Sequence, residues 1–418
     1  MTSGGACWRG GRAVVVGASS AGLRAAETLR ARGWDGPLTI VGEECQLPYR
    51  RPPLSKDVLL SEEEPEPVRL PVSASLGARW LLGRRAVRLD TRARRVTLSD
   101  GTELDYDGLV VATGARARAP RSASPGVFTL RDWDDAVALR ARLLPGRSVV
   151  VMGGGFLACE IADAARARGA SVTLVTRGEG PLARALGREA GAYVAALQGE
   201  AGIRARTRAE VTGFRTGADG APRAVELADG SSVPADTVVA ALGAVPAVDW
   251  LTGSGLLLDG GVVCDPWLRV LRADGTVAEG VVAAGDVARV PQTLAGGARL
   301  PTGHWADALA QGAVAAATLA AGPSEPYTVV PSFWSDLHGA RLRGVGLPSR
   351  AEEARVAEYD VPGRRLEITY HRNGRPVGAL TVGRMSRLAA HRAELASTAA
   401  ESAAESAVEP VAESGTVR

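Results

Sequence analysis

The sequence predicts an α/β fold in which one strand–turn–helix–strand unit occurs twice and a smaller α+β domain follows. Three observations carry this. The segment 12–41 reads as a β-branched strand, a glycine-containing turn, an Ala/Leu-rich helix and a second strand. The same order returns at 148–175. After Pro326 the pattern changes to strands, with a hairpin signal at Asn373-Gly374 and one helix to close the chain.

A chain of 418 residues, 46% of them hydrophobic, can bury two or three separate cores. The net charge of +3 is slight, and the arginines are interspersed with acids, which argues against nucleic acid as a partner. No apolar run reaches the roughly 18–20 residues that span a bilayer, and Met1 to Gly11 lacks a signal peptide's apolar stretch. A cytoplasmic protein with no membrane partner is expected. Cys7, Cys45, Cys159 and Cys264 lie far apart without a C-x-x-C pair, so neither a disulfide framework nor a metal site is indicated.

In the first unit, the strand Arg12 to Val16 runs into Gly17-Ala18-Ser19-Ser20-Ala21-Gly22 and a helix to Arg32. At such a turn, missing side chains let a pyrophosphate settle on backbone N–H groups at a helix N-terminus, where the helix dipole favours anions. The strand Leu38 to Val41 then ends at Glu43 and Glu44, about 20 residues beyond the turn, where a dinucleotide fold places an acid for the ribose. Ser19 stands where the middle glycine is usual, so the G-x-S-x-x-G turn is weak alone and gains from its βαβ context.

The second unit reads Ser148 to Met152, then Gly153-Gly154-Gly155-Phe156-Leu157-Ala158, a helix to about Arg168 and a strand Ser171 to Val175. This is G-x-G-x-x-A, and alanine is permitted where the third glycine packs helix on strand. Two further strands end in small residues, at Ala112-Thr113-Gly114 and Ala284-Gly285-Asp286. Such endings let backbone approach a ligand, and Asp286 can accept from hydroxyl groups. Two Rossmann-like dinucleotide-binding domains follow. The first is expected to be split into 11–120 and 245–325 around the second at 121–244, with the α+β domain at 326–396. The Ala/Glu/Ser-rich tail 397–418 is expected to be disordered.

Of the 49 lysines and arginines, only Lys56 is a lysine. A compact ammonium differs from a planar guanidinium in shape and hydration, so a site needing a small cation could not accept arginine. Composition alone leaves this reading level with a leftover on a solvated loop.

The surrounding stretch, Pro48-Tyr49-Arg50-Arg51-Pro52-Pro53-Leu54-Ser55-Lys56, opens a predicted helix. It resembles the Y-[DE]-R-P-P-L-S-K motif of FAD-dependent ferredoxin reductases. These are the putidaredoxin-reductase-like members of the pyridine nucleotide-disulfide oxidoreductases that lack a redox disulfide. Matching pieces follow in the family's order: Val110 to Gly114, Leu130-Arg131, Gly153 to Glu160, Ala283 to Ala288, His304-Trp305 with Ala308 and Gln311-Gly312, and Phe333-Trp334-Ser335-Asp336. The resemblance spans Ala13 to Ala396.

It implies the glutathione-reductase type of fold, with two dinucleotide-binding domains and a C-terminal α+β domain. It implies FAD contacts at Gly17, Ser19, Ala21, Gly22, Glu43, Arg51, Lys56, Ala86, Ala112, Thr113, Gly114, Arg131, Gly285, Asp286 and Trp305, with His304 and Trp334 alongside. Glu43 would hold the adenosine ribose. The nicotinamide nucleotide would meet Gly153, Gly155, Phe156, Leu157, Glu160, Thr176, Arg177 and Gly243. Lys56 and Glu160 would form the catalytic pair beside flavin N5, the cation stabilising reduced flavin and the carboxylate orienting nicotinamide. Ordinary core packing competes for Trp305 and Trp334, and His304 is assigned no chemistry. No metal site is implied.

The sequence also departs from the family. Gly303 and Arg50 replace acids usual before His304-Trp305 and after Tyr49. Val175-Thr176-Arg177 lacks the glutamate with which NADH-preferring members end this strand, so acceptance of NADPH, even in preference to NADH, is expected, against the reading of Arg177 as a solvent-facing side chain. The implied reaction passes hydride from NAD(P)H to FAD and then single electrons to an iron–sulfur ferredoxin. That ferredoxin would supply a haem-thiolate monooxygenase or a ring-hydroxylating dioxygenase. No C-x-x-C or C-x-x-x-x-C pair offers another exit. Arg84, Arg85, Arg88, Arg289, Arg341 and Arg343 are candidates for docking an acidic partner, against the reading of scattered solvated arginines. Two other readings are an NAD(P)H oxidase or peroxidase using Cys45, and a flavoprotein with a binding or signalling role.

Overall fold

A computed structural model of the chain describes residues 10–120 and 126–408. Its first sheet is six-stranded, in the order Arg269–Leu271, Val277–Ala283, Gly108–Val111, Ala13–Val16, Leu38–Val41, Ala78–Leu81. All pairs are parallel except the outermost, 269–271 with 277–283. The central strand AVVV is buried along its whole length, as a strand covered on both faces must be. Helices Ser20–Ala31 and Trp305–Ala321 pack along one another beside this sheet. The sheet thus draws on chain from both sides of the second unit.

The second sheet is parallel, in the order Arg204–Arg206, Ser171–Val175, Ser148–Met152, Thr237–Ala240, Val127–Phe128. Its turn leads into helix Phe156–Ala167, whose Ile161, Ala162 and Ala165 are fully buried. The third sheet is antiparallel, in the order Ser332–Leu337, Ala340–Gly346, Arg375–Val382, Arg365–Arg372, Glu353–Asp360. The predicted hairpin turns at Asn373 and Gly374, both at positive φ (50° and 74°), as a type I′ turn requires. One face of this sheet packs Leu342, Tyr370 and Leu380 against Leu186, Tyr193 and Val194 of the second unit.

Two expectations change. The closing helix does not stop at Ala396 but runs Met385–Val408, with Leu395 and Ala399 buried against Val345 and Ala379. Alanine and glutamate are good helix formers, and a buried anchor at Ala399 lets that propensity act where low-complexity composition suggested disorder. Residues 409–418 of the expected tail lie outside the described residues. The segment before Lys56 forms a single 3-10 turn, Pro52–Ser55, and then only the short helix Asp57–Leu60. Among the described residues no helix is long and apolar enough to cross a membrane.

Candidate active site

The two glycine turns share one geometry. Gly17 has φ +125°, and a Cβ there would lie 2.0 Å from the Ala112 carbonyl oxygen; Gly153 has φ +131° and would meet the Ala241 carbonyl at 2.2 Å. Each turn presses on the end of the neighbouring strand, so no side chain fits between them. A Cβ at Gly22 would lie 1.8 Å from the Gly17 oxygen. In the second turn that position is the fully buried Ala158. The N-caps Ser19 and Gly155 make no side-chain capping bond, which leaves first-turn N–H groups available to an anion.

A cleft of about 750 Å³ opens along the first turn. Of the expected flavin contacts, Gly17, Ser19, Ala21, Glu43, Arg51, Ala86, Ala112, Thr113, Gly114, Arg131, Gly285, Asp286 and Trp305 line it, together with Phe156, Leu157 and Glu160 from the second unit. Lys56, Gly22, His304, Trp334, Gly153, Gly155, Thr176, Arg177 and Gly243 are not among its lining residues. An elongated dinucleotide such as FAD fits a hollow with a side-chain-free cradle at a helix N-terminus and acids placed for hydroxyl groups.

The polar side chains of the cleft are cross-braced. Glu44 accepts from both Arg51 and the Tyr49 hydroxyl, and burial pushes the Tyr49 phenol well above its ordinary range. Arg51 Nη1 also donates to the Arg131 carbonyl at 2.7 Å, and Arg131 Nη2 pairs with Asp286 at 2.8 Å. Arg116 bridges Glu43 at 3.5 Å and Asp249 at 2.9 Å. Arg116 carries no sequence signal, and Glu44, which the strand end offers with Glu43 as an acid for the ribose, is committed to Arg51 and Tyr49. Arg116 is 73 positions from Glu43 and 133 from Asp249, separations that leave no local signal.

Lys56 and Glu160 meet. Lys56 Nζ lies 2.8 Å from Glu160 Oε1, with the two side chains only 19% and 9% exposed. Ser335 Oγ donates to the same oxygen at 2.6 Å, and Ser55 Oγ to Oε2 at 2.5 Å. A nearly buried carboxylate requires such donors, and charge-assisted bonds are the strong ones. The ammonium also lies 3.4 Å from the Pro52 carbonyl and from Ser55 Oγ, a tight space that suits lysine. Ser55 and Ser335 lay inside the quoted motifs but were not singled out.

At the edge of the cleft, Trp305 Nε1 donates to Ser20 Oγ at 2.9 Å, and Trp334 stands edge-on to Trp305, with centroids 6.1 Å apart at 86°. The Arg50 guanidinium lies 5.7 Å over the Trp305 ring, a cation–π contact. His304 stacks on Phe333 at 5.2 Å, and burial pushes its imidazole down to about 4, so it packs as a neutral ring. Asp307, in the first turn of the helix that His304 caps and 1% exposed, is pushed up to about 7 by burial.

In the second unit, Thr176 is buried and its Oγ1 accepts from Gly178 N at 3.2 Å. Arg177 is 78% exposed and only 4.0 Å from Glu210, while Arg208 pairs with Glu179 at 3.1 Å. Gly243, at φ +96°, accepts from Arg118 N. Of the candidate docking arginines, Arg84 is paired with Asp100, and Arg289 is held by Asp259 and the Arg299 carbonyl. Arg341, which pairs with Asp336 at 3.5 Å, and Arg343 line a hollow of about 190 Å³ with Thr381, Arg384 and Met385. Arg343 faces Trp334 across the strand pair, and its Nε makes no hydrogen bond. Cys159 and Cys264 are buried, which raises both thiols; Cys45 is exposed but does not line the cleft; Cys7 lies outside the described residues.

Residues 11–312 match the family model described as pyridine nucleotide-disulphide oxidoreductase, and residues 332–412 that described as reductase C-terminal. The chain is similar to the rhodocoxin reductase of Rhodococcus erythropolis, 38% identical over 348 residues covering 81% of this chain and 79% of that protein. It is also similar to the ferredoxin–NAD(+) reductase component of the anthranilate 1,2-dioxygenase system of Burkholderia cepacia, 36% identical over 392 residues, 92% and 94% of the two chains. Among solved structures it resembles a covalent putidaredoxin reductase–putidaredoxin complex, with TM-score 0.86, 28% identity, and 96% and 99% coverage. The chain is therefore an oxidoreductase that belongs to the pyridine nucleotide-disulphide oxidoreductase family, with FAD and NAD(H) as the cofactors that family implies.

Proposed function

We propose that this chain is a cytoplasmic, FAD-dependent NAD(P)H:ferredoxin reductase, which delivers single electrons to an iron–sulfur ferredoxin serving a monooxygenase or dioxygenase. The observation that carries the reading is the Lys56–Glu160 pair, 2.8 Å long, formed between the two dinucleotide-binding units. FAD, when bound, supplies the conversion of a two-electron hydride into single electrons.

The chain's own residues do the rest. The Gly17 turn holds the pyrophosphate, Glu43 the adenosine ribose, and Asp286, steadied by Arg131, the sugar-alcohol hydroxyls. Glu160 orients the nicotinamide, and the Lys56 cation stabilises negative charge that develops beside it. Phe156 and Leu157 supply apolar lining that keeps water from the approach. With no cysteine lining the cleft among the described residues, electrons leave towards a partner. The edge formed by Trp305, Trp334, Arg50, Arg341 and Arg343 suits an acidic one. Thr176 in place of an acid, next to the weakly held Arg177, lets the site accept NADPH as well as NADH.

The test is cytochrome c reduction by the FAD-loaded protein with NADH or NADPH, with and without a [2Fe–2S] ferredoxin. A strong dependence on ferredoxin is expected. Hydrogen peroxide as the main product, indifferent to ferredoxin, would overturn the reading in favour of an oxidase.

A further inference from the structure

We infer that Ser335 is a positioning residue for hydride transfer: its hydroxyl, delivered by the C-terminal domain, fixes the Glu160 carboxylate against Lys56. This rests on the reading of the Lys56–Glu160 pair given above.

Strand Ser332–Leu337 is two-faced. Phe333, Ser335 and Leu337 are buried, while Trp334 and Asp336 project to the other side, where Trp334 meets Trp305. On the buried face Phe333 packs on Phe156 at 5.4 Å, and Leu337 joins the apolar cluster around Cys159. Ser335 is fully buried among them. A hydroxyl on an apolar strand face costs free energy unless it is bonded, and an alanine would fill the position without that demand. Its bond goes to Glu160 Oε1, the oxygen that also meets Lys56 Nζ.

The strand holds the same helix at a second point. His338, just past the strand's end, donates from its backbone N to Asp163 Oδ2 at 2.9 Å, and its Nδ1 lies 2.8 Å from Asp163 Oδ1. Glu160 and Asp163 are three apart on helix Phe156–Ala167 and so share a face. Lys56 and Ser55 hold Glu160 from the first unit; Ser335 holds it from the third. Without Ser335 the carboxylate keeps donors from one side only and is free to rotate off the line of the nicotinamide. The C-terminal domain thereby contributes to accepting electrons as well as to passing them on.

The test compares Ser335→Ala, Ser335→Thr and Glu160→Gln in FAD-loaded full-length protein, by anaerobic rapid mixing with NADH and NADPH. The parent is measured first, and failure of the parent's flavin to be reduced would sink the reductase reading itself. Given a competent parent, Ser335→Ala is expected to slow flavin reduction at saturating nucleotide about ten-fold. Nucleotide affinity should change less than two-fold, and the long-wavelength absorbance of the oxidised-nucleotide complex with reduced flavin should weaken. Ser335→Thr, which keeps the hydroxyl, should restore both rate and absorbance. In the Glu160→Gln background, Ser335→Ala should add little, because it acts through Glu160. Parental rate and absorbance in Ser335→Ala would overturn the inference, as would equal losses in Ser335→Thr or full additivity with Glu160→Gln.

Discussion

Replacing Lys56 with methionine removes the cation from a pair whose side chains are 19% and 9% exposed, and leaves the carboxylate in place. Breaking a buried pair from one side costs about 3–5 kcal/mol. Glu160 keeps the hydroxyls of Ser55 and Ser335, and Lys56 is partly open to water, so the lower end, about 3 kcal/mol, applies here. If the same loss falls on the transition state, hydride transfer slows by about a hundred-fold. Lys56→Arg separates charge from shape. A guanidinium is too broad for the space bounded by the Pro52 carbonyl and Ser55 Oγ, each 3.4 Å from Nζ, and a slowing of about ten-fold is expected with FAD retained. The assay is the anaerobic loss of oxidised-flavin absorbance after mixing with nucleotide, on protein checked for full flavin content. Reduction of Lys56→Met at the parental rate would show that the cation has no part in the chemistry.

Thr176→Glu places a carboxylate where it accepts from a ribose 2′-hydroxyl and repels a 2′-phosphate; kcat/KM should shift towards NADH by about ten-fold or more, and an unchanged ratio would remove this strand end from nucleotide choice. Gly22→Ala sets a Cβ 1.8 Å from the Gly17 oxygen, so the variant should purify with little FAD; full flavin content would contradict the close approach. Asp307, pushed up to about 7 by burial, binds its proton more tightly folded than unfolded, so the folded state loses stability as pH rises from about 4 to about 7. Asp307→Asn should therefore raise the denaturation midpoint at pH 8 relative to the parent, by an amount worth up to about 4 kcal/mol, and change it little near pH 4; a pH-independent difference would count against the buried acid.

Features whose cause is local were legible in the sequence. The two glycine turns are set by backbone contacts with adjacent strand ends, and they lie where the strand–turn–helix pattern put them. Lys56 stood out because it is the chain's lone lysine, and the P-P-L-S-K motif brought it to Glu160 over a separation of 104 residues. Features that arise only from packing were not legible. Ser335 reads as an ordinary strand serine until the third sheet sets it against the second unit's helix. Arg289 was grouped with the surface arginines, yet Asp259 and the Arg299 carbonyl hold it. His304 sits in a family motif beside a cleft residue, and its ring is spent on Phe333. By composition the run 397–408 reads as a tail, whereas Ala399 is one of the contacts that hold the last helix on the sheet.

A single turnover tests most simply whether the flavin's electrons go to a ferredoxin. FAD-loaded protein is reduced anaerobically with one equivalent of NADH or NADPH and then mixed with excess oxidised [2Fe–2S] ferredoxin. A ferredoxin reductase gives rapid reoxidation of the flavin with two ferredoxins reduced per flavin, slowed by added salt because the contact is charged. Flavin that stays reduced in the presence of ferredoxin, and is reoxidised only when oxygen is admitted, would contradict that role.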